Sequence, residues 1–228
     1  MKKFELIDET REIMGVHVYR IRALCDFGKI KEGDLGGFVE SERNLSHDGK
    51  CFIKGQAVAL GETIITDDSI VCGTATVVDS KIYDSSYIIG SALIVDSIIR
   101  GNVYVRGFYV STPDDEGKVK ILNCHLGGSL EVYPATKMVN VAAVSAPQFR
   151  ICEGAINGQD DILFFGPVGG HVLCAYRALT NIHISVTQGG RRVFTLKEFR
   201  EEYQELVPEL EKNGLLLQEL VSPKKMYL

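Results

Sequence analysis

The chain has 228 residues, of which 45% are apolar and 24% are charged, a balance typical of an ordinary globular protein. Its net charge of −5 argues against a nonspecific nucleic-acid-binding protein, which would present a basic surface. No apolar run reaches the roughly 20 residues needed to span a membrane, and the start MKKFELIDETREIM lacks the apolar core of a signal peptide. We therefore expect a cytoplasmic protein with no nucleic-acid partner and no membrane partner.

The six cysteines include no C-x-x-C pair and no zinc-finger spacing. In a reducing compartment such residues are most simply small, buried hydrophobic side chains. The acidic pairs Asp67–Asp68 and Asp114–Asp115 fall at predicted turns, where Asp is common. The sequence therefore predicts no metal site.

Residues 1–34 contain a predicted strand or hairpin. In GVHVYRIRAL, Val16 and Val18 alternate with His17 and Tyr19, a spacing that suits strand geometry. The glycine-rich stretch EGDLGGFVE follows, and it has neither the G-x-G-x-x-G nor the Walker spacing of a phosphate-binding loop.

A period of six begins at Leu35 and runs to Arg106. The hexads read LGGFVE, SERNLS, HDGKCF, IKGQAV, ALGETI, ITDDSI, VCGTAT, VVDSKI, YDSSYI, IGSALI, VDSIIR and GNVYVR. Leu, Ile or Val occupies the first position in seven of the twelve, and turn residues fill positions two to four. A helix would show a period of 3.6, so short strands joined by regular turns are indicated.

This spacing predicts a parallel β-helix with three hexads, or eighteen residues, in each coil. The first residue of each hexad would point inward, and stacking of the coils would bury a continuous core. Residues 1–34 would then cap the first coil, because exposed strand edges pair with other chains. Gly36 and Gly37 would let the chain turn from the cap into the coils.

The hexads resemble the [LIV]-[GAED]-x-x-[STAV]-x repeat of the left-handed β-helix proteins known from the hexapeptide acyltransferases. Left-handedness is what this resemblance implies. The chain is also similar, over nearly its whole length, to a group of phage and prophage hexapeptide-repeat proteins. The shared segments are YRIRALCDFGKIKEGDLGGFVESERNLS, the hexads, FFGPVGG and FTLKEFREEYQE. This second resemblance implies a bacterial host cell and no particular activity.

After Arg106 the period is lost. Residues 111–120, STPDDEGKVK, are polar and predict a protruding loop. A weaker spacing of six then returns, and less regular coils are predicted to about Phe165, so the β-helix is assigned to residues 35–165.

Residues 166–228 predict a C-terminal appendage of mixed α and β structure. VLCAYRAL and NIHISVTQ resemble two strands of a hairpin, and Thr195 with Glu198 forms a capping box that predicts a helix from Leu196. A second helical segment is predicted from Pro208, and its leucine-rich tail would pack on a wall, on the C-terminal end or on another subunit.

The sixth position of the hexads is apolar where a monomer would need polar residues. Because we expect this position to point outward, the apolar walls indicate an interface, and the resemblance to hexapeptide-repeat proteins implies a homotrimer. The predicted interface residues are Phe52, Ile64, Ile70, Ile82 and Ile88.

Acyl transfer on this fold would need a general base, usually a histidine. His125 in NCHLGG is the best candidate, because it follows the polar loop, and such loops shape the acceptor site in the hexapeptide transferases. Cys124 is not expected to act with it, since adjacent strand residues point to opposite faces. The amides of Gly169 and Gly170, next to His171, are a weaker candidate for an anion site. For His17, His47 and His183 a structural or surface role is expected.

Three functions remain open at this stage. The first is a non-enzymatic binding protein without a cofactor, which binds a host protein or a small ligand, for example as an inhibitor of a host defence system. The second is an acyl-CoA-dependent transferase with His125 as base. The third is a structural or assembly protein. The phage resemblance favours the first of these.

Overall fold

A computed structural model describes residues 2–107, 118–168, 171–178, 181–186 and 193–208. These residues form a parallel β-solenoid, followed by a four-stranded antiparallel sheet and a short helix. The parallel β-helix and the C-terminal appendage that the sequence predicted are therefore confirmed. The left-handed sense stays a prediction from the resemblance.

The strands in chain order are β1 (Phe4–Ile13), β2 (Val16–Ala23), β3 (Leu35–Val39), β4 (Phe52–Ile53), β5 (Val58–Leu60), β6 (Ile64–Ile65), β7 (Ile70–Val71), β8 (Thr76–Val78), β9 (Lys81–Ile82), β10 (Tyr87–Ile89) and β11 (Ala92–Val95). They continue with β12 (Ile98–Ile99), β13 (Tyr104–Arg106), β14 (Val119–Leu122), β15 (His125–Val132), β16 (Lys137–Val139), β17 (Ala142–Ile151), β18 (Ala155–Ile156), β19 (Ile162–Val168), β20 (His171–Arg177), β21 (Ile182–Val186) and β22 (Val193–Thr195). One helix, α1 (Leu196–Glu202), ends this series, and two 3₁₀ turns lie at Glu42–Asn44 and Gln159–Asp161.

Each coil contributes one strand to each of three walls. Wall one contains β3, β5, β8, β11, β14, β16 and β18. Wall two contains β6, β9, β12 and the first half of β15, and wall three contains β4, β7, β10, β13 and the second half of β15. The long strand β17 continues walls two and three together, because it pairs with both halves of β15.

The spacing of six is not continuous, and this changes which residues form the core. On wall one Ala59 pairs with Val77 and Val77 with Ile94, so one coil has eighteen residues and the next has seventeen. At the corner between walls one and two, Gly61 and Glu62 precede the buried Thr63, whereas Asp79 alone precedes the buried Ser80. Asp79 turns the chain with a φ of 48°, so this corner needs one residue fewer.

The shorter coils make part of the predicted interface wrong. Ile82 pairs with Ile65, and Ile88 pairs with Val71, so both side chains point inward. Each is 0% exposed, which excludes them from any contact with another subunit. The shift by one residue moves them from the outer face to the core, because successive strand residues point to opposite sides.

The other three predicted interface residues do point outward, but only one is well exposed. Phe52 is buried under Phe27 of the N-terminal region, with ring centroids 5.4 Å apart. Ile70 is half-buried, and Ile64 is 39% exposed.

Small residues line the corner between walls one and two on the inner side and carry a hydrogen-bond ladder. The Ser80 hydroxyl accepts from the amide of Ser97 at 3.0 Å, and the Ser97 hydroxyl accepts from the amide of Cys124 at 3.0 Å. These side chains are buried, and the ladder satisfies amides that turn away from the strand pairing.

The N-terminal residues close the first coil. β1 and β2 form an antiparallel hairpin, and β2 pairs antiparallel with β3, which starts the parallel stack of wall one. The hairpin also places Val18 against Phe38, Val58 and Leu60 on the outside of that wall. The first strand edge is thus covered, as an exposed edge would pair with other chains.

The predicted loop 111–120 is an insertion between walls three and one. Residues 108–117 lie outside the described residues, but the last part of the prediction is wrong, because Val119 and Lys120 belong to β14. Ala92 pairs in register with Val119. The insertion therefore leaves wall one continuous.

The coils end earlier than the predicted Phe165. The last strand of wall one is β18, and β19 pairs antiparallel with β20, in a sheet ordered β19-β20-β21-β22. The predicted hairpin is confirmed as β20 and β21. So is the capping box: the Thr195 hydroxyl accepts from the Glu198 amide at 3.3 Å, and α1 begins at Leu196. The tail from residue 209 onward lies outside the described residues.

Candidate functional site

His125 is the first residue of β15 and points outward from wall two. It pairs with Ile98 on one side and with Ala142 on the other. Its neighbour Leu126 is 0% exposed and fills the core, so the alternation of the strand directs the imidazole to the outer face.

The imidazole of His125 is half-buried, and its Nε2 atom is shielded from solvent. Within the described part of the chain Nε2 has no hydrogen-bond partner. A buried ring nitrogen without a partner is uncommon, since burying an unpaired polar group is unfavourable. The Nε2 atom could therefore pair with a bound group only after the atoms that shield it have moved.

The surroundings of His125 are apolar and cationic on its own wall. Ile98 and Ile64, one and three strands away, are 36% and 39% exposed. Lys81 lies between them in the same outward column. We call the outward residues Ile64, Lys81, Ile98, His125 and Ala142 the His125 column.

Side-chain amides lie in the turns next to the His125 column. The Asn123 side-chain amide donates to the Asn140 side-chain oxygen at 2.6 Å, and the Gln159 side chain accepts from the Ala142 amide at 3.0 Å. Among the described residues no carboxylate accepts a hydrogen bond from His125 Nε2.

Cys124 is not part of this site. Its thiol donates to the carbonyl of Leu122 at 3.2 Å, and the side chain is buried at the corner. Burial raises the pKa of the Cys124 thiol, which lowers its thiolate fraction and its reactivity. The structure thus agrees with the expectation that Cys124 and His125 do not act together.

The polar insertion does not adjoin His125 along the chain's path. The insertion begins at the corner between walls three and one. Strand β14, which belongs to wall one, separates that corner from the corner before His125. Residues 108–117 lie outside the described residues, so a role of this loop at His125 stays a prediction.

Among the other histidines, His171 and His183 also have a buried ring nitrogen, Nδ1, without a hydrogen-bond partner among the described residues; His125 differs from them by its place on an outer wall of the solenoid. His47 is structural: Nε2 lies 2.7 Å from Glu42 Oε1, Nδ1 accepts from the amide of Lys3 at 3.1 Å, and the ring stacks on Phe4. His183 lies in β21 edge-on to Tyr176. His17 is exposed on the hairpin.

The weaker anion-site candidate is described only in part. Gly169 and Gly170 lie outside the described residues. His171 begins β20, and its ring is edge-on to Tyr203 with centroids 5.9 Å apart.

The sequence reasoning missed a charged cluster on wall three. Glu131 is 6% exposed; its Oε2 atom accepts from Arg150 Nη2 at 3.0 Å and from the Tyr133 hydroxyl at 3.2 Å. Burial raises the pKa of Tyr133. Arg150 also receives support from the appendage, since its amide donates to the Ser185 hydroxyl at 3.0 Å. This cluster connects the solenoid to the appendage. The sequence signal for it was an outward Glu in one coil and an outward Arg at the paired position of the next coil.

Within the described ranges, no group of three or more His, Cys, Asp or Glu side chains is arranged to hold a metal ion. In the same ranges, no helix has the length and apolar character to cross a membrane.

Comparison with known proteins gives one weak likeness. No protein-family model matches the chain. The chain is similar to the uncharacterized acetyltransferase YdcK of Escherichia coli (strain K12), with 29% identity over 86 residues. The match covers 34% of this chain and 26% of that relative, so the chain spans about a quarter of the relative's length. The likeness, together with the solenoid, fits a hexapeptide-repeat β-helix. The resemblance to phage proteins stays a prediction, as do the cytoplasmic location and an inhibitory role against host defence.

Proposed function

We propose that the protein transfers an acyl group from acyl-CoA to an acceptor hydroxyl or amine, with His125 as the general base. The observation that carries the proposal is the outward His125 imidazole, whose Nε2 atom has no partner among the described residues. The similarity to a protein named as an acetyltransferase supports the same chemistry.

The reaction would proceed in one direct step. His125 Nε2 takes the proton of the acceptor as the acceptor oxygen or nitrogen attacks the thioester carbonyl, and the protonated imidazole then supplies a proton to the departing CoA sulfur. Because the His125 Nε2 atom is shielded from solvent, the acceptor must displace the neighbouring groups that cover this atom. Expulsion of water from such a site strengthens the electrostatic contacts within it.

A site on an open wall needs a second surface to enclose the substrate. The exposed Ile64 and Ile98 lie in the same column as His125, so a second copy packed on wall two would form a cleft that contains the histidine. We therefore propose self-association through the His125 column, in place of the interface that included Ile82 and Ile88.

The test measures CoA release from a panel of acyl-CoA thioesters with hydroxyl and amine acceptors. We expect turnover by the wild-type protein, at least a hundredfold loss in His125→Ala, and unchanged turnover in His17→Ala. His17 is the matched control, because it is an exposed histidine of the N-terminal hairpin. Equal rates in the His125→Ala and wild-type proteins would overturn the role of His125.

A binding measurement separates loss of chemistry from loss of substrate. An acyl-CoA at a hundred times its dissociation constant should stabilise the protein by about 2.7 kcal/mol. We expect this stabilisation in both the wild type and His125→Ala, since the base acts on the acceptor.

A second candidate is a non-enzymatic binding scaffold. It is favoured by the stacked pair Tyr87 and Tyr104 on wall three, whose rings are 5.6 Å apart and tilted by 3°, because rigid aromatic surfaces are common at binding sites. Under this proposal no acyl-CoA stabilises the protein and no CoA is released. Tyr104→Ala would then weaken capture of the partner, and His125→Ala would not.

A further inference from the structure

The N-terminal end of the solenoid contains a buried lysine in contact with a buried cysteine. Lys3 is 3% exposed and Cys51 is 0% exposed. The Lys3 ammonium donates to the Cys51 sulfur at 3.3 Å and to the Cys51 carbonyl at 2.9 Å. It also donates to the carbonyls of Asp48 and Gly49 at 3.2 and 3.4 Å.

These contacts hold the nitrogen in one place against the sulfur. The Lys3 nitrogen also lies 4.9 Å from the centroid of the Phe27 ring, and no carboxylate is among its described partners. Charged lysines are almost never fully buried without an ion pair, so carbonyls and a thiol are an unusual setting. The Lys3 nitrogen and the Cys51 thiol are thus in direct contact, and neither group has a role in the proposed acyl transfer.

The thiol is oriented toward this contact from the other side. The Cys51 sulfur lies 3.4 Å from the carbonyl of Ser46 and 3.5 Å from that of Ile65. Its proton can be donated to either carbonyl, which leaves a sulfur lone pair for the ammonium. Burial raises the pKa of the Cys51 thiol, and Lys3 partly opposes that rise.

We propose that Lys3 and Cys51 form a covalent sulfur–nitrogen link when the protein meets a peroxide. The link would be a sulfenamide between the Lys3 side-chain nitrogen and the Cys51 sulfur. It would fasten the N-terminal hairpin to the first coil, because Lys3 precedes β1 and Cys51 precedes β4.

The chemistry needs one equivalent of a peroxide. Hydrogen peroxide oxidises the thiol to a sulfenic acid by transfer of one oxygen, and the peroxide is reduced to water. The Lys3 ammonium then loses a proton to solvent, its nitrogen attacks the sulfur, and a sulfur–nitrogen bond replaces the sulfur–oxygen bond. The hydroxyl leaves with the second amine proton as water, so the amine and thiol together lose two hydrogens.

Access of the peroxide to the thiol requires a local opening of the segment that carries Lys3. Folded proteins open locally, and displacement of Lys3 from its contact with the sulfur would expose Cys51. When the segment closes again, the amine returns to contact the sulfenic acid. Because the thiol is shielded in the closed form, bulky alkylating reagents should react with Cys51 more slowly than dilute peroxide does.

The test treats the full-length protein with dilute hydrogen peroxide, digests it and maps the products by mass spectrometry. We expect a peptide pair joined at Lys3 and Cys51, with the summed mass less two hydrogens, which dithiothreitol separates. Loss of the link in Lys3→Arg, with its retention in Cys72→Ser, would support the assignment, since arginine keeps the charge but is a poor nucleophile.

Two results on the wild-type protein would overturn the proposal without any variant. One is a Cys51 that stays reduced while Cys25 and Cys152 are oxidised. The other is a Cys51 that proceeds to the sulfinic acid with Lys3 unmodified. A link from Cys51 to Lys2 or Lys50 would also contradict it, because neither amine contacts the sulfur among the described contacts.

Discussion

Gly90 turns the chain from wall three to wall one with a φ of +80°, and the corner glycine of the next coil, Gly107, lies directly against it. A Cβ atom at Gly90 would collide with the backbone carbonyl of Gly107. The corner therefore requires glycine for two reasons, the left-handed backbone and the close approach of adjacent coils.

Replacement of Gly90 by alanine should destabilise the protein more than the same replacement at Gly15. Both residues have similar φ values, +80° and +77°, but nothing lies within 4 Å of a Cβ at Gly15. We expect a loss of about 1–2 kcal/mol for Gly15→Ala from backbone strain, and about 1–3 kcal/mol more for Gly90→Ala from overpacking. Urea denaturation would measure both, and equal losses would contradict the account of this corner.

Glu42 makes the N-terminal region sensitive to acid. Hydrogen bonds from His47 and Lys2 lower the pKa of Glu42 below its usual value of 4.5. A lowered folded pKa contributes stability above the unfolded pKa, and this contribution is lost as the pH falls through the folded value. The effect should be small, since the side chain is 43% exposed.

The corresponding measurement is the urea midpoint between about pH 5 and about pH 3. The wild type should lose more stability over this range than Glu42→Gln, which cannot titrate. Glu12→Gln, at an exposed position of β1, should behave as the wild type does. Parallel losses in the wild type and Glu42→Gln would show that the Glu42 contacts do not contribute.

In the solenoid, a difference of one residue in the length of a coil decides which residues form the core. The predicted inward register holds from Ile53 to Val77, whereas in β3 it is Val39 that pairs with Ala59, and Leu35 is 51% exposed. The shorter corner at Asp79 then shifts the next strands by one position, and a second one-residue corner at Asp96 shifts the strands again. From there the inward residues are Ile82, Ile88 and Ile94, each 0% exposed. Two of the five predicted interface residues, Ile82 and Ile88, are therefore core residues.

Ile88→Ala and Ile64→Ala test this register. Ile88 is 0% exposed and Ile64 is 39% exposed. We expect a loss of about 2–5 kcal/mol for Ile88→Ala, typical of a buried large-to-small change. For Ile64→Ala we expect about 0.5 kcal/mol or less in the dissociated chain, where the side chain is exposed. Urea denaturation at a protein concentration too low for self-association would measure both. Similar small losses for the two variants would indicate that Ile88 points outward, as an unbroken spacing of six predicts.

Much of the fold could be predicted from the sequence because its signals are local and repeated. The spacing of six gave the solenoid, and the capping box at Thr195 and Glu198 gave the start of α1. The register after Val77 could not be predicted in this way, since a corner of one residue and a corner of two have the same polar composition. The contact of Lys3 with Cys51 joins parts of the chain that are 48 residues apart, for which local patterns carry no signal.

The candidate site followed from the sequence only in part. His125 lies on an outer wall because β15 alternates, which the local pattern does predict. The corner at which each segment lies is set by the count of residues in every preceding coil, and the local pattern does not show this count.

At the scale of the whole molecule, self-association should occur through wall two. Light scattering should give a mass of about three times the 25.2 kDa of one chain for the predicted trimer. The double variant Ile64→Asp with Ile98→Asp should reduce the mass to that of one chain, because buried unpaired carboxylates disfavour an interface. Met14→Asp, at a 72% exposed position of the hairpin tip, should leave the mass unchanged. A wild-type mass of one chain would contradict the trimer.

The measurement that tests the central claim most directly is CoA release by the wild type, His125→Ala and His17→Ala under identical conditions. The account predicts turnover in the wild type and in His17→Ala, and its loss in a folded His125→Ala. Equal rates in all three, or no release from any acyl-CoA by the wild type, would contradict acyl transfer at His125.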